Sequence, residues 1–225
     1  MPDTGRRAYV SFSGGKDSML ALHRARAEGV EIVGLLCMLE ETGERARSHG
    51  ISRALVEAQA AALGLPCLAL SASWQTYESV FTAALRDLRS AGVDEIVFGD
   101  IDLDAHRAWE EQVCNAAGLR ATLPLWHLRR DAVVRELFAL GYRARVVCVN
   151  AKWLEASYAG RLFDEAFLAD LPAGVDSCGE NGEFHTFVFD GPAFSTPVEH
   201  RLLGIVRHDA KHPFGDATYH FAELG

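Results

Sequence analysis

Through its first 118 residues the chain alternates short apolar runs with amphipathic stretches, and most of the stretches stop at a glycine. Ala8 to Phe12 is apolar and breaks at Gly14-Gly15, and residues 16–28 read as a helix that stops at Gly29. Glu31 to Met38 is a near-continuous apolar run, the signature of a strand covered on both faces. After a polar stretch at 40–50, Ile51, Leu55, Ala58 and Ala62 stripe one helix face before Gly64. Pro66 to Leu70 and Asp94 to Phe98 read as strands; Phe81, Leu85 and Leu88 mark one helix and residues 104–117 another. This rhythm predicts an α/β fold with an open parallel sheet and helices on both faces. Ligands of such sheets sit beyond the carboxyl ends of the strands, which singles out residues 13–18, 38–50, 71–76 and 99–104.

The rhythm is lost after about residue 122. Val133, Val134, Leu137 and Leu140 mark a helix, 160–171 reads as another, and 144–149, 184–189, 198–208 and 217–224 read as strands. The expected division is a first domain over 1–122 and a smaller C-terminal α+β domain over 123–225.

The sharpest chemical signal is Ser13-Gly14-Gly15-Lys16-Asp17-Ser18, between a strand and a helix. Two glycines allow a tight turn with backbone N–H groups near an anion, and the helix adds its positive end. Ser13 and Ser18 offer hydroxyls and Lys16 a full charge. A Walker A loop cannot be fitted, and the G-x-G-x-x-G dinucleotide fingerprint is absent. The second signal is Cys178-Gly179-Glu180-Asn181-Gly182-Glu183-Phe184-His185-Thr186, a glycine-flanked polar turn entering a strand. Strand alternation would put Glu183 and His185 on one face, where acids and a histidine could hold an amine, a metal or an acceptor group.

Ser13 to Ser18 resembles the pyrophosphate (PP) loop of the ATP pyrophosphatases, within the adenine nucleotide alpha-hydrolase-like superfamily. Together with His49-Gly50, Phe98 to Ile101, Pro124-Leu125-Trp126, Cys178 to Thr186 and Phe189 to Pro192, the chain resembles the diphthine–ammonia ligase family and its bacterial relatives. The resemblance implies a Rossmann-like ATP-binding domain and a second domain that helps bind the acceptor. It implies ATP and Mg²⁺, adenylation of a carboxylate with release of pyrophosphate, and amidation by ammonia. ATP is then expected at Ser13, Gly14, Gly15, Lys16, Asp17 and Ser18, with adenine at the strand edge Leu36, Cys37 and Met38. The acceptor is expected at His49, Gly99, Asp100, Glu180 and Asn181, and catalytic roles fall to Lys16, Asp17, Glu183 and His185, with His185 assisting deprotonation near neutral pH. Two departures stand out: Ser177 where relatives carry Pro, and Phe184-His185 in place of a Tyr-Glu-like pair.

The remaining features narrow the partners. Lys and Arg number 22 against 31 Asp and Glu, a net charge of −9 that argues against nucleic acid as a partner. Five unpaired-looking cysteines and the absence of a leader or a long apolar run predict reduced thiols, no membrane and a cytoplasmic location. The expected partners are a small-molecule or protein-borne carboxylate and ammonia, with a homodimer admitted. Asp102 and Asp104 read as helix-start residues, the tryptophans as packing, and His208 with His212 as a poor zinc pair before Pro213. The competing functions are a tRNA-modifying PP-loop enzyme, which calls for paired thiols or a basic face, and a nucleotide-binding regulatory module without turnover.

Overall fold

The computed structural model describes residues 5–210 and 217–225. Five strands, β1 (Arg7–Ser11), β2 (Glu31–Leu39), β3 (Cys67–Ser71), β4 (Glu95–Val97) and β5 (Arg120–Thr122), form a parallel sheet in the order β3-β2-β1-β4-β5. The chain order reverses between β1 and β4, which opens a crevice beyond their carboxyl ends. Helices α1 (Lys16–Ala27), α2 (Arg53–Ala62), α3 (Tyr77–Ser90) and α4 (Asp104–Ala116) connect the strands. β2 shows how both faces are covered. Leu36 and Met38 pack with residues of α3 and α4, whereas Cys37 and Leu39 pack with α2 and the C-terminal sheet.

The C-terminal half adds α5 (Arg130–Ala139) and the strands β6 (Arg143–Asn150), β7 (Leu162–Phe163), β8 (Phe184–Asp190), β9 (Leu202–Ala210) and β10 (Ala217–Leu224). They form an antiparallel sheet in which β6 pairs with β7, β8 and β10, and β9 pairs with β10. The segment 160–171 is not one helix as expected. Asp164 accepts from the Phe167 amide and caps a short helix, α6 (Glu165–Ala169), directly after β7. β5, which the sequence pattern did not show, has only three residues.

One apolar cluster runs through both halves, from Ala8 and Val10 of β1 through α1 to Val134, Val146 and Val188. Met19, Leu20, Ala21 and Leu22 are consecutive and fully buried, so α1 is covered on all sides. The loop that opens α1 is therefore anchored to a helix held between two sheets. No helix among the described residues is long and apolar enough to cross a membrane.

Candidate active site

Residues 13–18 follow β1, and Gly14 adopts φ +80°, the left-handed region that favours glycine. Its carbonyl accepts from the Val188 amide (2.9 Å) and from Gln59 Nε2 (2.9 Å). Gln59 Nε2 also donates to the Val188 carbonyl at 2.6 Å, so α2, the loop and β8 are tied at one point. Gly15 is small for a second reason: a Cβ there would lie 2.6 Å from His49 Nε2. The Lys16 amide donates to Thr186 Oγ1 (3.0 Å), and the Gly15 amide to Ser13 Oγ (3.3 Å). Both glycines thus turn toward α2, His49 and β8. The groups that line the adjacent cavity are Ser13, Lys16, Asp17 and Ser18.

That cavity, about 660 Å³, lies beyond the carboxyl ends of the parallel strands. The Lys16 side chain is 5% exposed, and its Nζ donates to both Asp17 oxygens (2.9 and 2.7 Å) with Glu180 Oε1 at 3.6 Å. Burial works against the Lys16 ammonium, but the attraction of its acidic neighbours wins and holds it charged. Burial pushes the Glu180 carboxyl up to about 7, Asp17 adds to the rise and Lys16 opposes it. Burial likewise raises the Asp17 carboxyl against the pull of Lys16. The ligand atoms of Asp17, Cys178 and Glu180 lie within 4.8 Å of one another. The two carboxylates are hard oxygen donors that suit Mg²⁺; the thiol is a soft group that Mg²⁺ does not favour. Cys178 is also pushed up to about 12 by burial, and its Sγ donates to the Arg130 carbonyl at 3.4 Å.

The 176–183 turn reaches this rim because its own acids hold it. Asp176 accepts from the amides of Cys178 and Glu180 and from Arg130, which also grips Asp102 through two 2.8 Å bonds. Asp102 therefore anchors the second half rather than starting a helix. Glu183 also departs from expectation: β8 begins at Phe184, and Glu183 is fully buried. Its oxygens accept from the Asp176 amide and from the Asn181 amide and side chain, so it braces the turn instead of facing the cavity. Asn181 is spent on the same brace and does not line the cavity; Glu180 does.

His49 and His185 both line the cavity, with ring centroids 4.6 Å apart. Burial and the nearby Lys16 push His185 down to about 4, and His49 falls well below its usual value through burial, His185 and Lys16. Both imidazoles are held in the neutral form, so His185, expected to assist deprotonation near neutral pH, would do so as a weak base. Of the expected adenine edge, Leu36 and Met38 line the cavity, while Cys37 packs on the opposite face of β2.

Gly99 lies at the end of β4, where a Cβ would come within 2.8 Å of the Asp17 carbonyl carbon. Its smallness lets β4 approach the first turn of α1. Asp100 receives a 2.7 Å bond with His106 Nδ1; burial opposes its charge, but the hydrogen bonds from His106 and Glu110 hold its carboxyl down. Burial and the bond to Asp100 push Glu110 up to about 10. Glu110 and His106 went unremarked in the sequence, as did Arg47, whose guanidinium lies 4.5 Å from the Trp74 ring centroid on the cavity wall. The only signal for Arg47 and Trp74 was their place in strand-end loops. His208 lies in β9, and His212 falls outside the described residues.

The sequence pattern of the diphthamide synthase N-terminal domain matches residues 6–121, and that of the diphthamide synthase C-terminal domain matches residues 130–211. The chain is similar to proteins described as diphthine–ammonia ligase. It is 26% identical to that of Rattus norvegicus over 230 residues, covering 91% of this chain and 86% of the relative. It is 26% identical to that of Homo sapiens over 245 residues, covering 97% and 91%. The Schizosaccharomyces pombe relative is 22% identical over 232 residues, 92% of this chain and 38% of that protein.

Proposed function

The chain belongs to the diphthamide synthase family, and from that premise we propose that it is an ATP-dependent ligase that adenylates a carboxylate and amidates it with ammonia. An acceptor carboxylate oxygen attacks the α-phosphorus of ATP, the bond to the β-phosphate breaks, and pyrophosphate leaves. Ammonia then attacks the acyl carbon, the C–N bond forms, AMP departs with the C–O electron pair, and the nitrogen sheds a proton. Lys16, with the Ser13 and Ser18 hydroxyls, stabilises charge building on the leaving pyrophosphate. Asp17 and Glu180 would hold Mg²⁺, which when bound offsets the negative charge of the polyphosphate. Leu36 and Met38 lie where the adenine is expected, and His49, His185 and Glu180 border the space left for the acceptor. A cytoplasmic setting suits the reading.

The observation that carries it is the contact between the two halves at the loop. Glu180 stands 3.6 Å from Lys16 Nζ, and Thr186 takes the Lys16 amide. An acceptor held by the C-terminal half would therefore meet the phosphates within bonding reach, as transfer requires. Thiol transfer is disfavoured, because burial raises every cysteine, Cys67 to about 11 and the other four to about 12. The test is to incubate the protein with ATP, Mg²⁺, ammonium and either diphthine or a panel of amino-acid carboxylates. Carboxylate-dependent formation of AMP and pyrophosphate is expected; ADP and phosphate as the sole products would overturn adenylation.

A further inference from the structure

Among the described residues, Ser48 (φ +67°) and His127 (φ +60°) are the non-glycine positions in the left-handed region. Ser48 lines the cavity and His127 does not. A serine stays in that region only where its surroundings over-determine it, and such residues gather at ligand sites. The local cause is a single bond. The His49 amide donates to the Arg47 carbonyl at 2.8 Å and closes a three-residue turn with Ser48 at its centre. With positive φ at the centre, this is the rare and strained form of that turn. What the turn presents is His49. Its Nε2 lies 2.6 Å from where a Cβ on Gly15 would stand, and its ring centroid is 4.6 Å from that of His185. Its Nδ1 is buried without a hydrogen-bond partner, so the ring takes its place from the backbone beneath it and from packing.

We propose that Arg47 is the positioning residue for His49, holding the strained turn that sets the imidazole against the Ser13 to Ser18 loop. What His49 does there, contact with the acceptor, rests on the amidation reading above. Arg47 is fixed at both ends. Its amide donates to the Met38 carbonyl of β2 at 3.0 Å. Its guanidinium Nη2 donates to the Ala72 carbonyl, just beyond β3, and lies 3.5 Å from the Leu39 carbonyl. The same guanidinium stands 4.5 Å from the Trp74 ring centroid and 5.8 Å from that of Tyr77, within cation–π range. Arg47 thus ties together the loops that leave β2 and β3.

A residue held at its amide and at its head keeps its carbonyl aimed in one direction. The Gly50 amide returns to the Ala46 carbonyl at 3.0 Å, so the chain must come back on itself directly after Arg47. The common inverse turn, with Ser48 at negative φ, bends the opposite way and carries His49 off Gly15. Fixing Arg47 selects against that form, and the strain at Ser48 is what its contacts offset. Glycine tolerates positive φ without strain, so Ser48→Gly removes the need for the grip. That separates positioning from the two other roles open to a guanidinium in a cavity wall. A direct ligand contact or plain packing, lost with Arg47, is not restored by a glycine next to it.

Ring signals of isotope-labelled histidine, read by NMR, report the position directly, with the His49 signal assigned by its loss in His49→Gln. The proteins are the wild type, Arg47→Leu, Arg47→Lys, Ser48→Gly and the two double variants. The His49 signal should move in Arg47→Leu, stay in place in Ser48→Gly and return toward the wild-type position in Arg47→Leu with Ser48→Gly. Arg47→Lys keeps the charge and loses the planar fork, so it should show the same pattern at smaller amplitude should Arg47→Leu fail to fold. With diphthine as acceptor, the concentration for half-maximal amide formation should rise at least ~10-fold in Arg47→Leu, since a displacement of ~1 Å can cost about 100-fold. Ser48→Gly should recover most of that loss, and ATP affinity should stay unchanged throughout. A His49 signal unmoved in both Arg47 variants, or moved and not recovered by Ser48→Gly, overturns the proposal. So does a loss of ATP affinity that Ser48→Gly does not restore, which would give the guanidinium to the nucleotide. Inactivity of the wild type toward diphthine strikes the ligase reading instead, and the histidine signals still decide the positioning.

Discussion

Gly99→Ala is the smallest change that should disable the proposed nucleotide site without touching a charged group. A Cβ at Gly99 would stand 2.8 Å from the Asp17 carbonyl carbon, 2.8 Å from the Ser18 amide nitrogen and 3.1 Å from the Asp17 oxygen. All three are backbone atoms in the first turn of α1, so no flexible side chain can swing aside. The helix cannot retreat as a body either, because Met19 to Leu22 are fully buried around it. Overpacking of this kind costs about 1–3 kcal/mol. For a chain of this length each kcal/mol lowers Tm by about 2–4 °C, which gives a fall of roughly 2–12 °C. ATP binding should suffer more than stability, since the displaced atoms belong to the loop that bears Lys16. A displacement of ~1 Å at such a site can cost about 100-fold in rate. Gly204→Ala is the control, because a Cβ there meets nothing within 4 Å. Thermal unfolding followed by circular dichroism and ATP titration by calorimetry read the two effects. If Gly99→Ala melts and binds ATP as Gly204→Ala does, β4 does not confine the loop and the reasoning is wrong.

Three further outcomes are expected. Lys16→Ala removes the charge that Asp17 and Glu180 share, so ATP affinity should fall about 10–150-fold in equilibrium titration. Cys178→Ser should keep AMP formation within about tenfold of the parent, since burial keeps the thiol protonated and a serine hydroxyl can donate to the Arg130 carbonyl in its place; complete loss in a folded variant would restore a thiol mechanism. The third concerns acid sensitivity. His185 titrates at about 4 in the folded protein and near ~6.5 unfolded, so between those values the unfolded chain binds more protons. Its contribution is complete above about pH 6.5 and is lost as pH falls toward 4, up to roughly 3 kcal/mol in all. Urea unfolding at about pH 7 and pH 5 should show the wild type losing about 2 kcal/mol more than His185→Gln; equal losses would refute it.

The parallel sheet was legible because its strands are long enough to show continuous burial and its helices end at glycines. β5 escaped because Arg-Ala-Thr is too short to carry a period and borrows its place from β4. The segment 160–171 misled through its spaced apolar residues, although Asp164, a strong helix-capping type, marked the true start of α6. Glu183 was assigned by strand alternation, yet the strand begins one residue later. A carboxylate ahead of a strand, in a glycine-flanked turn, finds free amide donors at once and is claimed by them. Glu110 failed in the opposite way. An acid in the middle of a helix reads as a solvated face, and nothing local reveals that the fold buries it beside Asp100.

The Ser13 to Ser18 loop shows where local reading stops and tertiary structure takes over. Its residue types fix what the segment can do, and those are visible in six letters. Which of its groups are left for a ligand depends on partners that come from elsewhere in the chain. Gln59 and Val188 claim the Gly14 carbonyl, Thr186 claims the Lys16 amide, and His49 occupies the space that Gly15 leaves. The backbone amide of Lys16, which a motif-based reading offers to the phosphates, is therefore engaged by β8. Ser13, Lys16 and Ser18 line the cavity, and the Ser18 hydroxyl donates to the Gly15 carbonyl at 3.1 Å. Because β8 belongs to the C-terminal half, the first amide of α1 is held from across the two halves of the chain.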